Sequence, residues 1–177
     1  MKRFSIALAL GVSLFAVPAA AQEETSDNGG FAVGVVLGFD AIGVEANNRT
    51  ESDSGVVTGL TAGYDIVSGK GIIGVEAEVT DTSIGDGVGM DGYLGLRLGY
   101  EMDSNDVIYL KGGYTCIEVD EDEELEGIRA GAGFEHNFGG FFGRVEYRYS
   151  NYNVSDVLGE GLNGNRHQVM IAAGAKF

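Results

Sequence analysis

The most regular feature of the chain is an alternation of apolar residues with polar or small ones at a period of two. It is clearest at the carboxyl end, where Val169, Ile171, Ala173 and Ala175 lead up to Phe177. Successive side chains of a β-strand point to opposite faces, so this period predicts strands with one apolar face. The same alternation occurs in eight segments, within residues 31–40, 56–66, 73–80, 93–102, 108–115, 128–135, 141–149 and 166–177.

The connections between these segments are alternately short and long. Short turns are predicted at 68–71, 103–106 and 137–140, and long connections at 42–54, 81–92, 118–126 and 151–165. This rhythm is typical of an up-and-down barrel. The sequence therefore predicts an all-β fold, an eight-stranded antiparallel up-and-down β-barrel, with the long connections on the rim opposite the termini.

The second face of each segment decides between a soluble and a membrane-spanning barrel. A soluble barrel keeps its apolar face inside, whereas an outer-membrane barrel turns that face to lipid and its charges inward. The apolar faces here are long and unbroken and often end in an aromatic residue, as in the segment that closes with Phe177. A soluble protein gains little from an aromatic side chain at a fraying terminus. We therefore interpret the barrel as transmembrane.

Charged residues lie on the opposite, inward face of the predicted strands. Eight strands enclose an interior just wide enough for side chains, and a lone buried charge is costly, so these groups are expected to pair. We predict a lumen ion-pair network that plugs the barrel, with a narrow water or ion path as the alternative. The residues are Glu76, Glu78, Arg97, Glu101, Lys111, Arg129, Glu135, Arg144, Glu146, Arg148 and Lys176.

The amino-terminal residues have the pattern of a cleaved secretory signal peptide. Lys2 and Arg3 precede an apolar stretch at 4–17, and Ala19 to Ala21 are small residues suited to a cleavage site. We expect a signal peptide at 1–21, a short amino-terminal extension at 22–30 and the barrel domain at 31–177. The single cysteine, Cys116, cannot form an internal disulfide.

The charge balance excludes nucleic acid as a partner and places an excess of acidic residues in the connections between the predicted strands. The chain has 27 acidic and 11 basic residues, whereas nucleic-acid binding needs a basic surface. The densest acidic run is predicted to be a surface loop, where carboxylates could bind divalent cations that bridge to lipopolysaccharide phosphates. It consists of Glu118, Asp120, Glu121, Asp122, Glu123, Glu124 and Glu126.

No residue set in the sequence demands catalysis or a cofactor. The two histidines, His136 and His167, are predicted near opposite rims, and His167 with Ser150 and Asn151 is the one combination that could supply a base and a nucleophile. The closely spaced His, Ser and Asn motif of outer-membrane lipid A deacylases is absent. We expect a non-enzymatic protein without a cofactor or a defined metal site.

Three stretches of the chain resemble a known family. They are 142–149 (FGRVEYRY), 131–135 (GAGFE) and the end from His167 to Phe177, and they are similar to the small outer-membrane β-barrels that include opacity-type surface proteins and OmpA-like and OmpX-like barrels. The resemblance implies location in the bacterial outer membrane with loops at the cell surface. It also implies assembly by the outer-membrane machinery, which reads the terminal aromatic strand and hence Phe177. Ala175 departs from the family, where an aromatic residue is frequent.

Three functions remain open at this stage. The first is a monomeric surface barrel in contact with outer-membrane lipid and lipopolysaccharide, with a role in envelope integrity or adhesion. The second is a narrow, weakly conducting porin. The third is a secreted lipocalin-like carrier with an apolar ligand inside the barrel. The same barrel hosts many functions, so the fold alone does not select one of them.

Overall fold

The computed structural model describes residues 28–46, 49–83, 88–119, 124–153 and 163–177. Its strands form one closed barrel in which each strand is antiparallel to the next and β1 pairs with β8. The predicted all-β, eight-stranded antiparallel barrel is confirmed. The strands are β1 (Gly30–Ala46), β2 (Arg49–Ser68), β3 (Gly71–Thr82), β4 (Val88–Asp103), β5 (Asp106–Val119), β6 (Glu124–Asn137), β7 (Phe141–Asn153) and β8 (Asn163–Lys176).

The alternation of side chains along each strand separates an apolar outer face from a polar inner one. On β3, Ile73 and Val75 are about half exposed on the outside, whereas Glu76 and Glu78 are each 3% exposed inside the barrel. The other strands follow the same rule, so large apolar side chains cover the outside in a continuous belt. The prediction that the apolar face of each strand points outward and the charged face inward is thus confirmed.

The strands run farther than predicted at the rim opposite the termini. β1 and β2 remain paired up to Ala46 and Arg49, and β7 continues to Asn153. The predicted connections 42–54, 81–92, 118–126 and 151–165 were therefore too long. Beyond an apolar belt both faces of a strand meet water, so the alternation ends although the backbone hydrogen bonds continue.

The rim that holds the termini has tight connections. Ser68 pairs with Gly71 around a two-residue turn, and Gly69, Gly139 and Gly140 have positive φ angles of 61°, 74° and 90°. Glycine adopts such angles without a steric cost. Phe31 and Phe177 exchange backbone hydrogen bonds of 3.0 and 2.8 Å at the same rim, which closes the β1–β8 seam.

The predicted signal peptide, residues 1–21, lies outside the described residues, as do residues 22–27 of the predicted extension. Asn28 is described and is fully buried at the rim of the termini. Within the described ranges there is no helix that is long and apolar enough to cross a membrane.

Candidate functional site in the barrel lumen

The lumen contains a balanced set of buried charges. Over the described side chains, seven acidic and seven basic residues have at most 8% exposure and lie inside the barrel. They are Asp40, Asp65, Glu76, Glu78, Asp91, Glu135 and Glu146, with Arg97, Lys111, Arg129, Arg144, Arg148, Arg166 and Lys176. Because the two signs are equal in number, the lumen itself carries no formal excess charge.

The half of the lumen near the termini is organised around the Glu135 carboxylate. Arg97 and Arg144 each contact its Oε2 atom at 2.9 Å, and Lys176 Nζ lies 2.7 Å from Oε1. Arg97 also donates to Asp65 at 2.8 Å. Four strands, β2, β4, β6 and β7, and the end of β8 are therefore joined through this one carboxylate and its partners.

The middle of the lumen is bridged by Lys111, which contacts two carboxylates from different strands. Its Nζ atom lies 2.6 Å from Glu76 and 2.7 Å from Glu146. Glu76 also accepts from Arg144, and Glu146 accepts from Arg148 and, at 2.5 Å, from the Tyr109 hydroxyl. The side chains here reach across the barrel and join β3, β5 and β7, which are not neighbouring strands.

The outer half of the lumen is organised around Asp91 and Asp40. Asp91 accepts from Arg129 at 2.5 Å, from Arg166, and from the Thr115 hydroxyl at 2.8 Å. Arg166 also binds Asp40. This layer connects β1, β4, β5, β6 and β8.

All fourteen buried charges belong to one continuous network. Arg148 joins Glu146 to Glu78, and Arg129 lies 3.9 Å from Glu78, which links the middle to the outer layer. Acidic and basic groups alternate along the chain of contacts from Asp65 at one end to Asp40 at the other. Removing one member leaves its neighbours as uncompensated buried charges, which is strongly destabilising.

Two tyrosine rings fill the space between the charged groups. Arg97 and Arg144 lie 4.1 and 5.5 Å from the centre of the Tyr109 ring. Lys111 and Arg129 lie 4.8 and 5.5 Å from that of Tyr93. Such positions allow cation–π attraction, which strengthens where water is excluded.

Inward glycines provide the room for these rings. A Cβ atom on Gly133 would lie 2.4 Å from the Tyr109 ring, and one on Gly95 would lie 2.1 Å from the Tyr93 hydroxyl. The Tyr109 ring of β5 thus lies directly over the backbone of the neighbouring strand β6, whereas the Tyr93 side chain lies over Gly95 of its own strand, β4. The close approach leaves no space for even a methyl group at these two positions.

On strands β8, β1 and β2, a buried apolar cluster lies between the charged residues near their ends. Met170 lies over Gly38, and the Phe142 ring lies over Gly34. The buried apolar cluster consists of Ala32, Val36, Val57, Phe142, Met170 and Ala172. It fills the part of the cross-section that the ion pairs do not occupy.

Asn28 is buried at the mouth of the lumen, at the rim of the termini. Its side-chain amide nitrogen donates to Glu101 at 2.7 Å and to the Ser104 backbone carbonyl at 2.9 Å, while Lys176 Nζ donates to the backbone carbonyl of Asn28 at 3.0 Å. Gly30, the first residue of β1, has a positive φ of 99°. Residues that precede the first strand thus contribute to the filling of the barrel.

The structure places ten of the eleven predicted lumen residues among the buried charges, and Glu101 is half-buried at the mouth, bound to Asn28. The prediction omitted Asp40, Asp65, Asp91 and Arg166, and it did not assign tyrosines to the site. Asp40, Asp65 and Arg166 stand at the ends of alternating segments, on their inward side. Asp91 falls in a range predicted to be a connection.

A few buried polar side-chain atoms of the lumen have no hydrogen-bond partner in the protein, and two of them, Asn28 Oδ1 and Arg97 Nε, lie in the half near the termini. In the outer half they are the Gln168 amide oxygen and nitrogen, the Tyr93 hydroxyl, the Thr80 hydroxyl and Arg129 Nη1. Buried polar groups normally bond to protein or to ordered water. This part of the lumen is therefore the part best suited to hold water.

The predicted acidic loop divides between strand ends and undescribed residues. Glu118 lies in β5, opposite Glu124 of β6, and Glu126 is exposed on β6. Residues 120–123, which are Asp120, Glu121, Asp122 and Glu123, lie outside the described residues. Over the ranges that are described, no three His, Cys, Asp or Glu side chains are grouped as a metal ion requires.

The possible catalytic combination of His167 and Ser150 is not brought together. Ser150 faces the lumen, where its hydroxyl accepts from Arg129 Nε at 2.8 Å. His167 faces outward, and its Nδ1 atom lies 2.7 Å from the Tyr147 hydroxyl. The barrel wall separates the two side chains, because consecutive positions along a strand point to opposite faces.

Comparisons with known proteins agree on the architecture. The family model described as an outer membrane protein beta-barrel domain matches residues 7–177. Neisserial surface protein A (NspA) is similar in structure, with 14% identity, a TM-score of 0.53, and coverage of 82% of this chain and 97% of that one. No curated protein sequence matches the chain.

The attachment invasion locus protein Ail of Yersinia pestis, in complex with the heparin analogue sucrose octasulfate, is similar as well. Its identity is 10% and its TM-score 0.51, with coverage of 84% of this chain and 99% of that one. Identities this low support the fold alone. Both structures are covered almost completely, so the similarity extends over their whole barrels.

Proposed function

The chain belongs to the outer membrane protein β-barrel family, and we propose that in the bacterial outer membrane it acts as a closed, non-enzymatic surface barrel. Its location follows from the family, and its outer belt contacts outer-membrane lipid. The secreted lipocalin-like carrier is wrong, because the barrel is apolar on the outside and charged inside. Such a lumen offers an apolar ligand no suitable environment.

The observation that carries the proposal is the continuous lumen network. An open pore leaves room for water around its lining charges, whereas here fourteen charges are at most 8% exposed and contact one another across the barrel. Tyr93, Tyr109 and the apolar cluster fill the remaining cross-section. In an eight-stranded barrel, side chains alone suffice to fill the interior.

The non-enzymatic part of the proposal rests on the separation of His167 from Ser150 by the barrel wall. Over the described residues, the buried carboxylates are occupied by basic partners, so none is held ready as a general base. A structural or interaction role in envelope integrity or adhesion fits this arrangement. Ail, whose name describes attachment and invasion, is consistent with such a role for a barrel of this size.

The acidic surface is the second part of the proposal. Without Lys2 and Arg3 the mature chain has nine basic residues, and seven of them are buried in the lumen. The outer surface therefore keeps its acidic excess, including exposed Asp81 and Glu126. We propose that divalent cations associate with this surface and reduce its repulsion from lipopolysaccharide phosphates.

Assembly is proposed to follow the route of the family. Residues 1–21 would be removed on export, and the outer-membrane assembly machinery would read the terminal strand that ends in Phe177. The Phe177 ring is 77% exposed at the end of the lipid-facing row of β8, where an aromatic residue fits the interface between lipid and water. The mature barrel is proposed to be a monomer, because β1–β8 pairing already satisfies its first and last strands.

A narrow, weakly conducting porin is the second candidate, and the unpartnered atoms of Gln168, Thr80 and Tyr93 favour it. They indicate some water in the outer half of the lumen. The ion pairs in the half of the lumen near the termini lie between the outer half and the mouth at the rim of the termini. A path would therefore require movement of the groups around Glu135 and Glu76.

Planar-bilayer recording of the refolded mature barrel tests the closed lumen. Wild type is expected to give no discrete opening steps, because ion passage would require breaking buried ion pairs. The positive control is the double variant Glu78→Ala with Arg148→Ala, which removes one acid and one base together and should introduce steps. Reproducible steps from folded wild type, absent from heat-unfolded samples, would establish the porin and reject the closed barrel.

A further inference from the structure

Two charged residues near the rim of the termini belong to opposite walls of the barrel. Glu101 is in β4 and Lys176 is in β8. The closed strand order leads from β8 to β4 through β1, β2 and β3 on one side and through β7, β6 and β5 on the other, so these two strands face each other across the lumen. Over the described residues, Lys176 is paired with Glu135, whereas Glu101 forms no ion pair. The two walls are therefore not joined directly at this level.

Asn28 bridges the distance between these walls. Its side-chain amide nitrogen donates to Glu101 Oε1 at 2.7 Å and to the Ser104 backbone carbonyl at 2.9 Å. Its own backbone carbonyl accepts from Lys176 Nζ at 3.0 Å. The side chain thus binds β4 and the β4–β5 turn, while the main chain binds the end of β8. With both ends engaged, Asn28 has no exposed surface.

The bridging residue lies before β1 and is not part of the wall. Gly30, the first residue of β1, has a φ of 99°, far from the negative values of an extended strand. A Cβ atom at this position would lie 2.2 Å from the Phe177 carbonyl oxygen, which leaves no room for a side chain. Glycine therefore allows the chain to change direction beside the β1–β8 seam. Two residues earlier, Asn28 contacts the opposite wall instead of extending the sheet.

The bridge consists of hydrogen bonds to charged groups, which are stronger than those between neutral groups. Lys176 Nζ is shared between the Asn28 carbonyl and Glu135 Oε1, the latter at 2.7 Å, and the lysine side chain is 3% exposed. Because Asn28 lies against Nζ, its removal should expose this side of the ammonium group to water while the bond to Glu135 remains. The protection of Lys176 thus depends on a residue outside the strands.

We propose that the residues before β1 form an amino-terminal strap, of which the structure describes Asn28 and Gly29. The strap ties β4 to β8 across the mouth at the rim of the termini and shields the Lys176–Glu135 end of the lumen network from water. It is releasable, because Asn28 is held by hydrogen bonds alone and takes no part in strand pairing. Its release would uncover a buried ion pair without breaking the barrel wall.

The strap goes beyond the closed surface barrel proposed above and is separate from it. The ion pairs around Glu76 and Asp91 do not involve Asn28. They would remain after release of the strap, so the middle and the outer half of the lumen should stay filled. Release should change only the access of solvent to the terminal end of the lumen.

The three lysines of the mature chain lie in three environments and provide the test. Lys70 is exposed in the β2–β3 turn, Lys111 is buried in the middle of the lumen, and Lys176 lies behind the strap. The refolded mature chain in detergent micelles is treated with a water-soluble acetylating ester, and peptide mass spectrometry gives the rate at each lysine. In wild type, Lys111 and Lys176 should react about ten-fold or more slower than Lys70, because buried groups react only through local opening.

Deletion of residues 22–28 removes the strap and should raise the acetylation rate of Lys176 about ten-fold, as expected from the loss of one or two hydrogen bonds. The rates of the other two lysines should stay at the wild-type level. Asn28→Ala removes only the side-chain hydrogen bonds and should give a smaller rise. Deletion of residues 22–26, which keeps Asn28, is the matched control and should react like wild type.

Three outcomes would overturn the proposal. They are equal rates at Lys176 and Lys70 in wild type, an unchanged rate at Lys176 in the longer deletion, and an equal rise at Lys176 in the shorter one. If the longer deletion also raises the rate at Lys111, the whole barrel opens in that variant and Asn28→Ala decides, with its folding checked by heat-modifiable gel migration. An unchanged rate at Lys176 in folded Asn28→Ala would then reject the strap. Planar-bilayer recording tests the closed lumen separately, so failure of one proposal is distinguishable from failure of the other.

Discussion

The two faces of the barrel wall are built by adjacent residues and have opposite chemistry. Leu96 is 58% exposed on the outside and Arg97 is 2% exposed inside; Leu110 and Lys111 show the same contrast at 63% and 4%. The outer residues meet fluid lipid, whose apolar chains adapt to any side chain of similar polarity. The lumen residues meet one another at fixed distances, so their shapes and charges depend on several neighbours at once.

The comparison also shows what each face contributes. The outer face locates the protein in the membrane, and it requires apolar character more than specific packing. The lumen face determines whether anything passes through the barrel, and it requires particular pairs such as Arg97 with Asp65. A substitution on the outer face should therefore be harmful when it makes the residue polar or charged. A substitution in the lumen should be harmful when it removes a charge or changes the shape of the side chain.

The largest effect is expected from removal of one central charge of the lumen. Arg144 contacts Glu76 and Glu135 and lies over the rings of Tyr109 and Phe142. Arg144→Met leaves two buried carboxylates with fewer partners and should lower the free energy of unfolding by about 3–5 kcal/mol. Denaturant unfolding followed by far-UV circular dichroism measures the change, since the chain has no tryptophan for fluorescence.

Lys70→Met is the matched control for that variant. Lys70 is exposed in the β2–β3 turn, with Nζ 5.9 Å from the centre of the Tyr100 ring. Its replacement should change stability by no more than about 0.5 kcal/mol. Comparable losses for Arg144→Met and Lys70→Met would show that the lumen network does not stabilise the barrel beyond an ordinary surface charge.

A somewhat smaller effect is expected from a charge placed on the lipid face. Leu96→Arg puts a cation in the middle of the apolar belt, at a cost of roughly 2–4 kcal/mol. The fraction of protein that reaches the heat-modifiable, trypsin-resistant form should fall sharply in cells and in refolding assays. Leu96→Phe, which remains apolar, should assemble like wild type. Normal assembly of Leu96→Arg would mean that the outward face does not meet lipid.

Much of the fold could be predicted from the sequence because one face of each strand meets a uniform environment. The period of two predicts that Arg97 and Lys111 face the lumen, and both side chains are buried there. The bounds of the strands could not be predicted in this way, because outside the belt both faces are in water. Asp91 was missed for that reason: it belongs to β4 and holds Arg129, yet it stands in a range without alternation.

The partners within the lumen could not be predicted either. The alternation gives the side on which a residue lies, but not how far its side chain reaches across the barrel. Glu76 of β3 meets Arg144 of β7, 68 positions away. The same limit applies to His167 and Ser150, which are close along the wall but on its opposite faces, so the structure does not bring together the one combination that could have supplied a base and a nucleophile.

The smallest of these effects compares one substitution on the two faces. Gly133→Ala adds a methyl group that would lie 2.4 Å from the Tyr109 ring, which Glu146 and two arginines hold in place. Such overpacking should cost about 1–3 kcal/mol of unfolding free energy. Gly112→Ala adds the same group on the lipid side, where the nearest atom is 3.8 Å away, and should be neutral within about 0.5 kcal/mol.

Combining Gly133→Ala with Tyr109→Leu should make the glycine substitution less costly than it is alone, because the ring that obstructs the methyl group is gone. An equal cost with and without the ring would mean that Tyr109 is not the obstruction. A negligible cost for Gly133→Ala would mean that the lumen has free space at this level, and the closed barrel would lose its main support.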